Sequence, residues 1–427
     1  MIESVQVANP VAEAPGAEPE RKSKGIARLI SLDAFRGMVM VLMLAELMRL
    51  PEVARAFPQS LLWRLIAFNT QHVEWQGCSL HDLIQPAFSF LVGAALPFSI
   101  ASRKMKGQTF GPMLGHAVRR ALLLVFLGIF LRSLRSPQTY FTFEDTLTQI
   151  GLGYVFLFLL GFARVRTQVV ALVLILICFW AAFALYPPPS PNFDYARVGV
   201  SQNWNHNYTG FLSHWNKNSN LSWAFDVWFL NLFPREQPFV FNEGGWSTLS
   251  FIPTLGTMIL GLIAGRWLRE SRSGESRHFE SQSLQPRPTV PVSKLLLLGV
   301  VGIALGLALH YSGICPVVKR IWTPSWTIFS GGICFLFLAA FSWVIEMKGF
   351  KKWAFPLVVV GMNSIVAYCI AHFMEEFLVS TFRIHLGPNF FQFAGAGLEP
   401  FFRGVAILLC YWLVLFWMYQ RKLFLKI

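Results

Sequence analysis

Long apolar runs separated by short charged segments dominate the chain. These runs approach the roughly 20 residues that an α-helix needs to cross the hydrocarbon core of a bilayer. They are continuous rather than alternating, which disfavours a transmembrane β-barrel. The pattern predicts an all-α, polytopic membrane helix bundle. We expect about ten transmembrane helices, at residues 32–50, 80–100, 117–134, 146–163, 169–186, 249–268, 294–311, 326–345, 355–378 and 401–419.

Charged residues between the apolar runs predict the orientation of the bundle. Lys and Arg cluster before the first run and after the last one, and such clusters mark the cytoplasmic side of a membrane protein. We therefore expect both termini in the cytoplasm. The chain has 36 basic and 22 acidic residues and a net charge of +14. In a membrane protein this excess fits cytoplasmic loops and contact with anionic membrane lipid, with no nucleic acid as partner.

Breaks in hydrophobicity divide the chain into four parts. Residues 1–28 are rich in Ala, Pro, Glu and Lys without periodicity, which predicts a disordered cytoplasmic tail. We expect the first six transmembrane helices in 29–268 and a flexible cytoplasmic linker, rich in Arg, Ser and Pro, in 269–293. The last four helices then occupy 294–427, and no internal repeat is visible.

Two external loops carry much of the polar sequence. Loop 51–79 ends in the segment that we interpret as catalytic. Loop 187–247 is long and rich in Asn, Trp and Phe. Amides that bond hydroxyl groups and rings that stack on sugar faces would suit carbohydrate recognition. An interfacial aromatic belt with turns explains the same residues equally well, so both interpretations stay open.

Composition excludes an ordinary soluble domain and offers no metal motif. The chain is 54% hydrophobic and only 14% charged. Its six cysteines form no CxxC pair, so we find no zinc or redox signature and expect no metal. Cys78 and Cys315 both fall at external helix ends in the predicted topology, which leaves a disulfide between them open.

The strongest candidate chemistry lies where a polar segment meets the second apolar run. The sequence HVEWQGCSLHD places His72, Glu74 and Trp75 before this run, with His81 and Asp82 at its mouth. Ionisable residues at membrane depth cost roughly 2.5–3.5 kcal/mol each and by default indicate function. Histidine suits proton transfer near neutral pH. We therefore interpret His72 as a general base, although a lone histidine of this kind is more often simply interfacial.

Asp82 is the carboxylate that we expect to orient His72 or to raise its pKa. The two residues are too far apart in sequence for one helix face, so a contact requires a loop that folds back. A helix N-cap, or a carboxylate favoured by the helix dipole, explains Asp82 about equally well.

Four segments resemble a known family when taken together and in order. They are SLDAFRG at 31–37, HVEWQGCSLHDLIQPAFSFLVG at 72–93, NEGGWSTLSFIPTLGTMILGLIAG at 242–265, and PVVKRIWTPSW joined to GMNSIVAY between 316 and 368. They are similar to segments of the heparan-α-glucosaminide N-acetyltransferase family and of the bacterial transmembrane acyltransferases related to it. The resemblance extends over nearly the whole chain after the tail.

The resemblance implies an acyltransferase that moves an acetyl group from cytosolic acetyl-CoA to an amino sugar on the far side of the membrane. It implies catalytic roles for His72 and Asp82, and Asp226, Glu243 and Asn363 also match family positions. It further implies a bacterial cytoplasmic membrane protein, shorter than the lysosomal enzyme, and a homodimer. One departure lies near the outer end of the first helix, where the family has an asparagine and this chain has Glu46 and Leu47, so the acceptor need not be identical.

Further polar residues complete the predicted site. Asn363 lies within a span, where substrate binding and helix-to-helix hydrogen bonding are equally open. Basic residues at the cytoplasmic ends would meet the phosphates of coenzyme A, although ordinary cytoplasmic charges explain them as well and no phosphate-binding motif occurs. The expected acceptor-binding residues are Glu74, Trp75, Glu46, Asp226, Glu243, Asn363 and His372, and the expected donor-binding residues are Arg36, Arg119 and Arg120.

Two other functions compete with N-acetylation. Buried polar residues and broken helices also suit a membrane transporter or flippase for a glycan or lipid. O-acetylation of a cell-envelope polysaccharide needs the same base, so only product analysis separates it from N-acetylation. The sequence also leaves open whether His72 carries the acetyl group or acts only as a base.

Overall fold

The computed structural model describes residues 29–278 and 290–425, with side chains to 271 in the first range. The predicted tail and residues 279–289 of the predicted linker lie outside these ranges. Within them the backbone is helical or irregular, and strand-like pairing is limited to one bridge between Gln76 and Val318. The prediction of an all-α protein is confirmed for the described residues.

Fifteen α-helices form the described part of the chain, and short 3-10 turns extend several of them. The helices are α1 (Ile30–Leu44), α2 (Leu50–Ala56), α3 (Leu61–Asn69), α4 (Ile84–Met105), α5 (Phe110–Ser133), α6 (Thr146–Leu160), α7 (Val165–Leu185), α8 (Leu221–Phe229), α9 (Phe251–His278), α10 (Val292–Tyr311), α11 (Pro324–Phe341), α12 (Phe355–Met362), α13 (Ser364–Phe373), α14 (Glu375–Leu386) and α15 (Glu399–Gln420).

Seven helical segments of the described chain are long and apolar enough to cross a bilayer, or eight if the bent pair α12 and α13 counts as one span. They identify an integral membrane protein. Two predicted spans correspond to shorter helices, because α1 and α6 have 15 residues each. The number of ten spans and the cytoplasmic position of both termini therefore stay predictions.

The predicted ninth span is broken rather than continuous. Helices α12 and α13 meet at an angle of 67°. Asn363 lies at the break with non-helical backbone angles (φ −124°, ψ 40°). Its side chain instead bonds the chain near the C-terminus, donating to Leu423 O and accepting from Leu425 N. Apolar periodicity cannot reveal such a break, because both halves remain hydrophobic.

Helices α4 and α9 pack with their backbones in close approach. A Cβ added to Gly93 would overlap the carbonyl oxygen of Met258, and one added to Gly261 would overlap that of Phe90. Small residues permit such contacts between membrane helices. This pair fixes the positions at which α4 and α9 begin, and both beginnings lie next to the polar site described below.

We expect Gly261→Ala to destabilise the protein by about 3 kcal/mol or more. The added methyl group meets backbone rather than a movable side chain, so α4 and α9 must separate. The matched control is Gly115→Ala on α5, where the new methyl group enters open space. Thermal unfolding in detergent should show a large fall in the melting temperature of Gly261→Ala and no fall in that of Gly115→Ala. Equal stability of the two variants would contradict this packing.

Three loops meet at one end of the bundle. Trp75, from the loop before α4, is fully buried beside Trp215 from the long loop and Val318 from the loop before α11. Its indole N–H donates to Trp215 O at 3.2 Å. Arg103 and Lys104 lie in the last turn of α4. A helix of this length spans about 33 Å, so these basic residues lie at the opposite end of the bundle.

Candidate active site

The loop before α4 folds back and brings His72 onto Asp82. His72 Nδ1 lies 2.8 Å from Asp82 Oδ1. The other oxygen, Oδ2, accepts hydrogen bonds from Val73 N at 3.2 Å, Ser79 N at 3.0 Å and the Ser79 hydroxyl at 2.9 Å. The Asp82 side chain is only 1% exposed, whereas that of His72 is 35% exposed. Asp82 therefore anchors the loop and orients the imidazole at the same time.

A buried lysine completes this pair. Lys319 Nζ lies 3.3 Å from Asp82 Oδ1 and 3.0 Å from His72 Nδ1, and its side chain is 2% exposed. An ionised carboxylate accepts only, and Asp82 is the nearer neighbour of Nδ1, so we assign the imidazole proton to Nδ1, which donates to Asp82. With this tautomer Lys319 does not donate to the ring but pairs with the Asp82 carboxylate. The lone pair of His72 is then on Nε2. In this arrangement the Lys319 ammonium balances the charge of Asp82.

Burial and neighbouring charges lower the pKa of both His72 and Lys319, which favours the neutral form of each side chain. Burial lowers the pKa of His72 below its usual value, although the hydrogen bond to Asp82 partly offsets this, and Lys319 and His81 lower it further. Burial also lowers the pKa of Lys319 to about 8, against the opposing effect of Asp82. Neutral His72 is the form that accepts a proton.

Trp246 and Arg320 cover the same group of side chains. The Trp246 ring lies edge-on to His72, with centroids 5.5 Å apart. Lys319 Nζ and the Arg320 guanidinium lie 5.2 Å and 5.1 Å from the Trp246 centroid. Arg320 also donates to Gly244 O at 2.7 Å and to Val73 O at 3.0 Å. Arg320 thus ties the loop that carries Trp246 to the loop that carries His72.

His72, Trp246 and Lys319 line a cavity of about 370 Å³ in the bundle. Three predicted site residues line it, namely His72, Glu46 and His372. An adjoining cavity of about 490 Å³ shares Glu46 and His372 with it. Cavities of this size hold small ligands, and titratable groups that converge on one of them are typical of an active site.

The cavity lining also includes a second polar cluster, of which the sequence singled out only His372. Asp145 Oδ2 accepts from the Tyr368 hydroxyl at 2.8 Å and lies 3.4 Å from Arg132 Nε. Asp145 Oδ1 caps helix α6 by accepting from Leu147 N at 2.8 Å. His372 stacks on Tyr368, with ring centroids 4.7 Å apart. This cluster joins α5, α6 and α13 in the lining of the cavity that His72 also lines.

Other predicted acceptor-binding residues lie outside this cavity. Trp75 is part of the apolar core described above. Glu74 is exposed and accepts from Trp204 Nε1 at 3.2 Å. Glu243 is exposed on the loop before α9. Asp226 is buried and accepts from Thr248 N at 3.0 Å, and burial raises its pKa to about 7. Asp226 therefore anchors the turn that follows Trp246.

The remaining predicted residues lie on other parts of the bundle. Asn363 bonds the chain near the C-terminus, an arrangement that favours the structural alternative for this residue. Arg36 lies 3.6 Å from Asp33. Arg119 is exposed, and Arg120 donates to the Tyr154 hydroxyl at 3.0 Å while stacking on its ring.

The candidate disulfide does not form in the structure. Cys78 and Cys315 are both free thiols. Cys78 donates to Ser79 O at 3.2 Å, and the sulfur of buried Cys315 accepts from the Ser325 hydroxyl at 3.5 Å. Burial raises the pKa of Cys78 to about 12, which makes its thiol unreactive at neutral pH.

The apolar helices, and the partly exposed His72 held by buried Asp82 and Lys319, define an integral, polytopic α-helical membrane protein with a polar internal cavity. A comparison with models of known families finds no match. The chain is similar to heparan-alpha-glucosaminide N-acetyltransferase of Mus musculus, with 20% identity over 443 aligned positions that cover 96% of this chain and 62% of that protein. It is 22% identical to the Homo sapiens protein of the same name over 432 positions, covering 94% and 60%.

These similarities confirm the resemblance predicted from the four segments. The chain spans about three fifths of the length of each of these curated relatives. The aligned region includes nearly all of the chain.

Proposed function

We propose that this protein is a transmembrane acetyltransferase. It moves an acetyl group from cytosolic acetyl-CoA to an amino sugar or another glycan acceptor on the external side of a bacterial cytoplasmic membrane. The observation that carries the proposal is the contact of His72 with Asp82 and Lys319 at the wall of a polar cavity. The similarity to two N-acetyltransferases along nearly the whole chain supports the same reaction class.

The arrangement of His72 suits acyl transfer to an amine. The amine nitrogen attacks the carbonyl carbon of the thioester, and the new C–N bond forms as the C–S bond breaks. His72 Nε2 takes the proton that the amine loses, and the imidazolium returns it to the departing thiolate, which leaves as free coenzyme A. Asp82 stabilises the imidazolium through Nδ1, as a carboxylate does for a catalytic histidine.

A covalent route uses the same atoms in a different order. Nε2 attacks the thioester carbon, the C–S bond breaks, and coenzyme A leaves as the thiolate. The acceptor amine then attacks the acetyl carbon, the Nε2–C bond breaks, and the proton that the amine loses goes to the freed Nε2. In both routes negative charge develops on the acetyl oxygen, and cations near that oxygen would stabilise it. Lys319 is the buried cation beside His72. Arg36, Arg119 and Arg120 remain the proposed contacts for the phosphates of the donor.

We expect purified protein in detergent to release free coenzyme A from acetyl-CoA when a panel of amino sugars is present. His72→Ala should lower this rate by about 10²–10⁴-fold, because it removes the base. The matched control is His385→Ala, which removes an exposed histidine on α14. Mass spectrometry of the product separates N-acetylation from O-acetylation. Equal rates of coenzyme A release by wild type and His72→Ala would contradict the proposal.

We expect the acid limb of the kcat/KM profile to lie below pH 6.5. Neutral His72 is the active form, and its lowered pKa keeps it neutral at pH values where an ordinary histidine is half protonated. Lys319, with a pKa of about 8, should add an alkaline limb if its charge stabilises the transition state. Rates measured from pH 5 to 9 test this. An acid limb centred above pH 6.5 would contradict the assigned environment of His72.

A transporter or flippase for a glycan or lipid is the second candidate, and the 67° break between α12 and α13 favours it. Broken helices commonly line transport sites. Protein-dependent movement of a labelled glycan across a sealed vesicle, without consumption of acetyl-CoA, would establish this function instead.

A further inference from the structure

Three potential metal ligands meet at one edge of the cavity. Glu46 follows α1, His72 lies in the loop before α4, and His81 opens the 3-10 turn that leads into α4. Each offers one ligand atom, and the three atoms lie within 4.8 Å of one another. His81 Nε2 is 2.6 Å from Glu46 Oε1, and the two imidazole centroids are 4.5 Å apart.

This set of donors matches the preference of Zn²⁺. Two imidazoles and one carboxylate, with a fourth position open to a cavity, form a recurring zinc site in proteins. Zinc–nitrogen bonds of about 2.0–2.1 Å require the three ligand atoms to draw together, and the 61% exposed side chain of Glu46 has room to move. The Asp82 carboxylate already holds Nδ1 of His72, as the outer carboxylate does for most zinc-bound histidines.

The local charges decide how strongly such a cation would bind. Glu46 and Asp82 contribute two negative charges. Lys319 opposes the cation, but it contacts Nδ1 of His72, the nitrogen that also contacts Asp82, so Nε2 is the ring nitrogen left for a cation. A site with this opposing charge should be weaker than a closed structural zinc site, so occupancy should be reversible with a chelator.

We propose that Glu46, His72 and His81 form a binding site for a zinc-like divalent cation, and that occupancy of this site prevents His72 from acting as a base. A cation bound to Nε2 takes the lone pair that would accept the acceptor's proton. The inhibitory effect rests on the proposed acetyl transfer, whereas the binding of the cation does not. Sequence spacing gives no signal for this site, because Glu46 comes from the turn after α1 and the two histidines of the HVEWQGCSLHD segment have no spacing typical of a zinc motif.

The binding test uses full-length protein in detergent, stripped with a chelator and free of acetyl-CoA. Titration with Co²⁺ should produce visible absorption bands of low-symmetry coordination at one ion per chain, and Zn²⁺ should displace it. We expect Glu46→Gln and His81→Ala each to weaken Zn²⁺ binding at least tenfold. Glu52→Gln, an exposed carboxylate on α2, is the control and should bind like wild type. Glu46→Gln protects the test against misfolding, since Glu46 is exposed.

The inhibition test compares coenzyme A release with and without Zn²⁺. Wild-type turnover should fall at least tenfold at saturation and recover with a chelator, while Glu46→Gln should need at least tenfold more Zn²⁺ for the same relative fall. Absence of one-to-one binding, or binding that neither Glu46→Gln nor His81→Ala weakens, would overturn the site. Binding that leaves turnover unchanged would overturn the inhibitory role. A protein that binds Zn²⁺ and turns over no acetyl-CoA would contradict the acetyltransferase proposal alone.

Discussion

Replacing Asp82 by Asn should lower kcat for acetyl transfer by about 10²–10⁴-fold and leave the KM for acetyl-CoA nearly unchanged. The amide keeps the size of the side chain but removes the negative charge that fixes the proton on His72 Nδ1 and stabilises the imidazolium. General-base catalysis in this site depends on that orientation. The measurement is steady-state release of coenzyme A from the purified variant.

The control for this variant is Asp194→Asn, which changes a 59% exposed carboxylate in the long loop. It should retain wild-type kcat. Thermal unfolding of both variants must be recorded, because Asp82 also accepts three hydrogen bonds from Val73 and Ser79. A folded Asp82→Asn protein with more than a third of wild-type kcat would contradict the positioning role of Asp82.

The second large effect concerns stability. Lys319→Met should destabilise the protein by about 3–5 kcal/mol, because it leaves the Asp82 carboxylate buried without its cation. Combining it with Asp82→Asn should recover a large part of that loss, since the double variant buries neither charge. Unfolding in mixed micelles gives the four free energies of a double-mutant cycle.

Strong coupling between positions 82 and 319 is therefore the expected result. Independent sites give free energies that add to within about 0.3–0.5 kcal/mol, whereas contacting residues couple by more. Arg49 and Glu52 are an exposed pair at 3.3 Å and provide the comparison. Such pairs couple by about 1 kcal/mol or less. Additive effects at positions 82 and 319 would contradict a buried ion pair.

Local sequence patterns predicted the helices well because each long apolar run must satisfy its own backbone in a membrane. The all-α class and the positions of α4, α5 and α7 followed from apolar length alone. The break at Asn363 did not, because it depends on hydrogen bonds to Leu423 and Leu425, some 60 residues further along. The lengths of α1 and α6 also fall short of the predicted spans.

In the candidate site, too, features within one short segment could be predicted from the sequence, whereas contacts between distant segments could not. His72 and Asp82 were identified because both lie in one short polar segment, and the required folding back of the loop is present. Lys319 lies in the segment PVVKRIWTPSW, but the sequence did not single it out as a site residue. Its partners are about 240 residues away, so only the fold reveals that it is buried. Asp145 and Tyr368 are likewise far apart in the sequence, so the sequence did not predict their contact.

Some residues that were predicted to bind the acceptor from their chemistry alone do not line the cavity. Glu74 and Trp75 are adjacent to His72 in sequence, yet one points to solvent and the other fills the apolar core. In an irregular loop, neighbours in sequence have no fixed periodicity that places them on one face. The cavity wall is instead assembled from α1, α4, α5 and α13 and from the loops before α4, α6, α9 and α11.

The most direct test of the central claim is acetyl transfer across a sealed membrane. Proteoliposomes would contain the acceptor amino sugar inside and receive labelled acetyl-CoA outside, with wild-type protein beside His72→Ala. The account predicts labelled N-acetyl sugar inside the wild-type vesicles and at least 10²-fold less in the variant, with coenzyme A released outside. Labelled sugar formed at equal rates by both proteins, or formed only when donor and acceptor share a compartment, would contradict it.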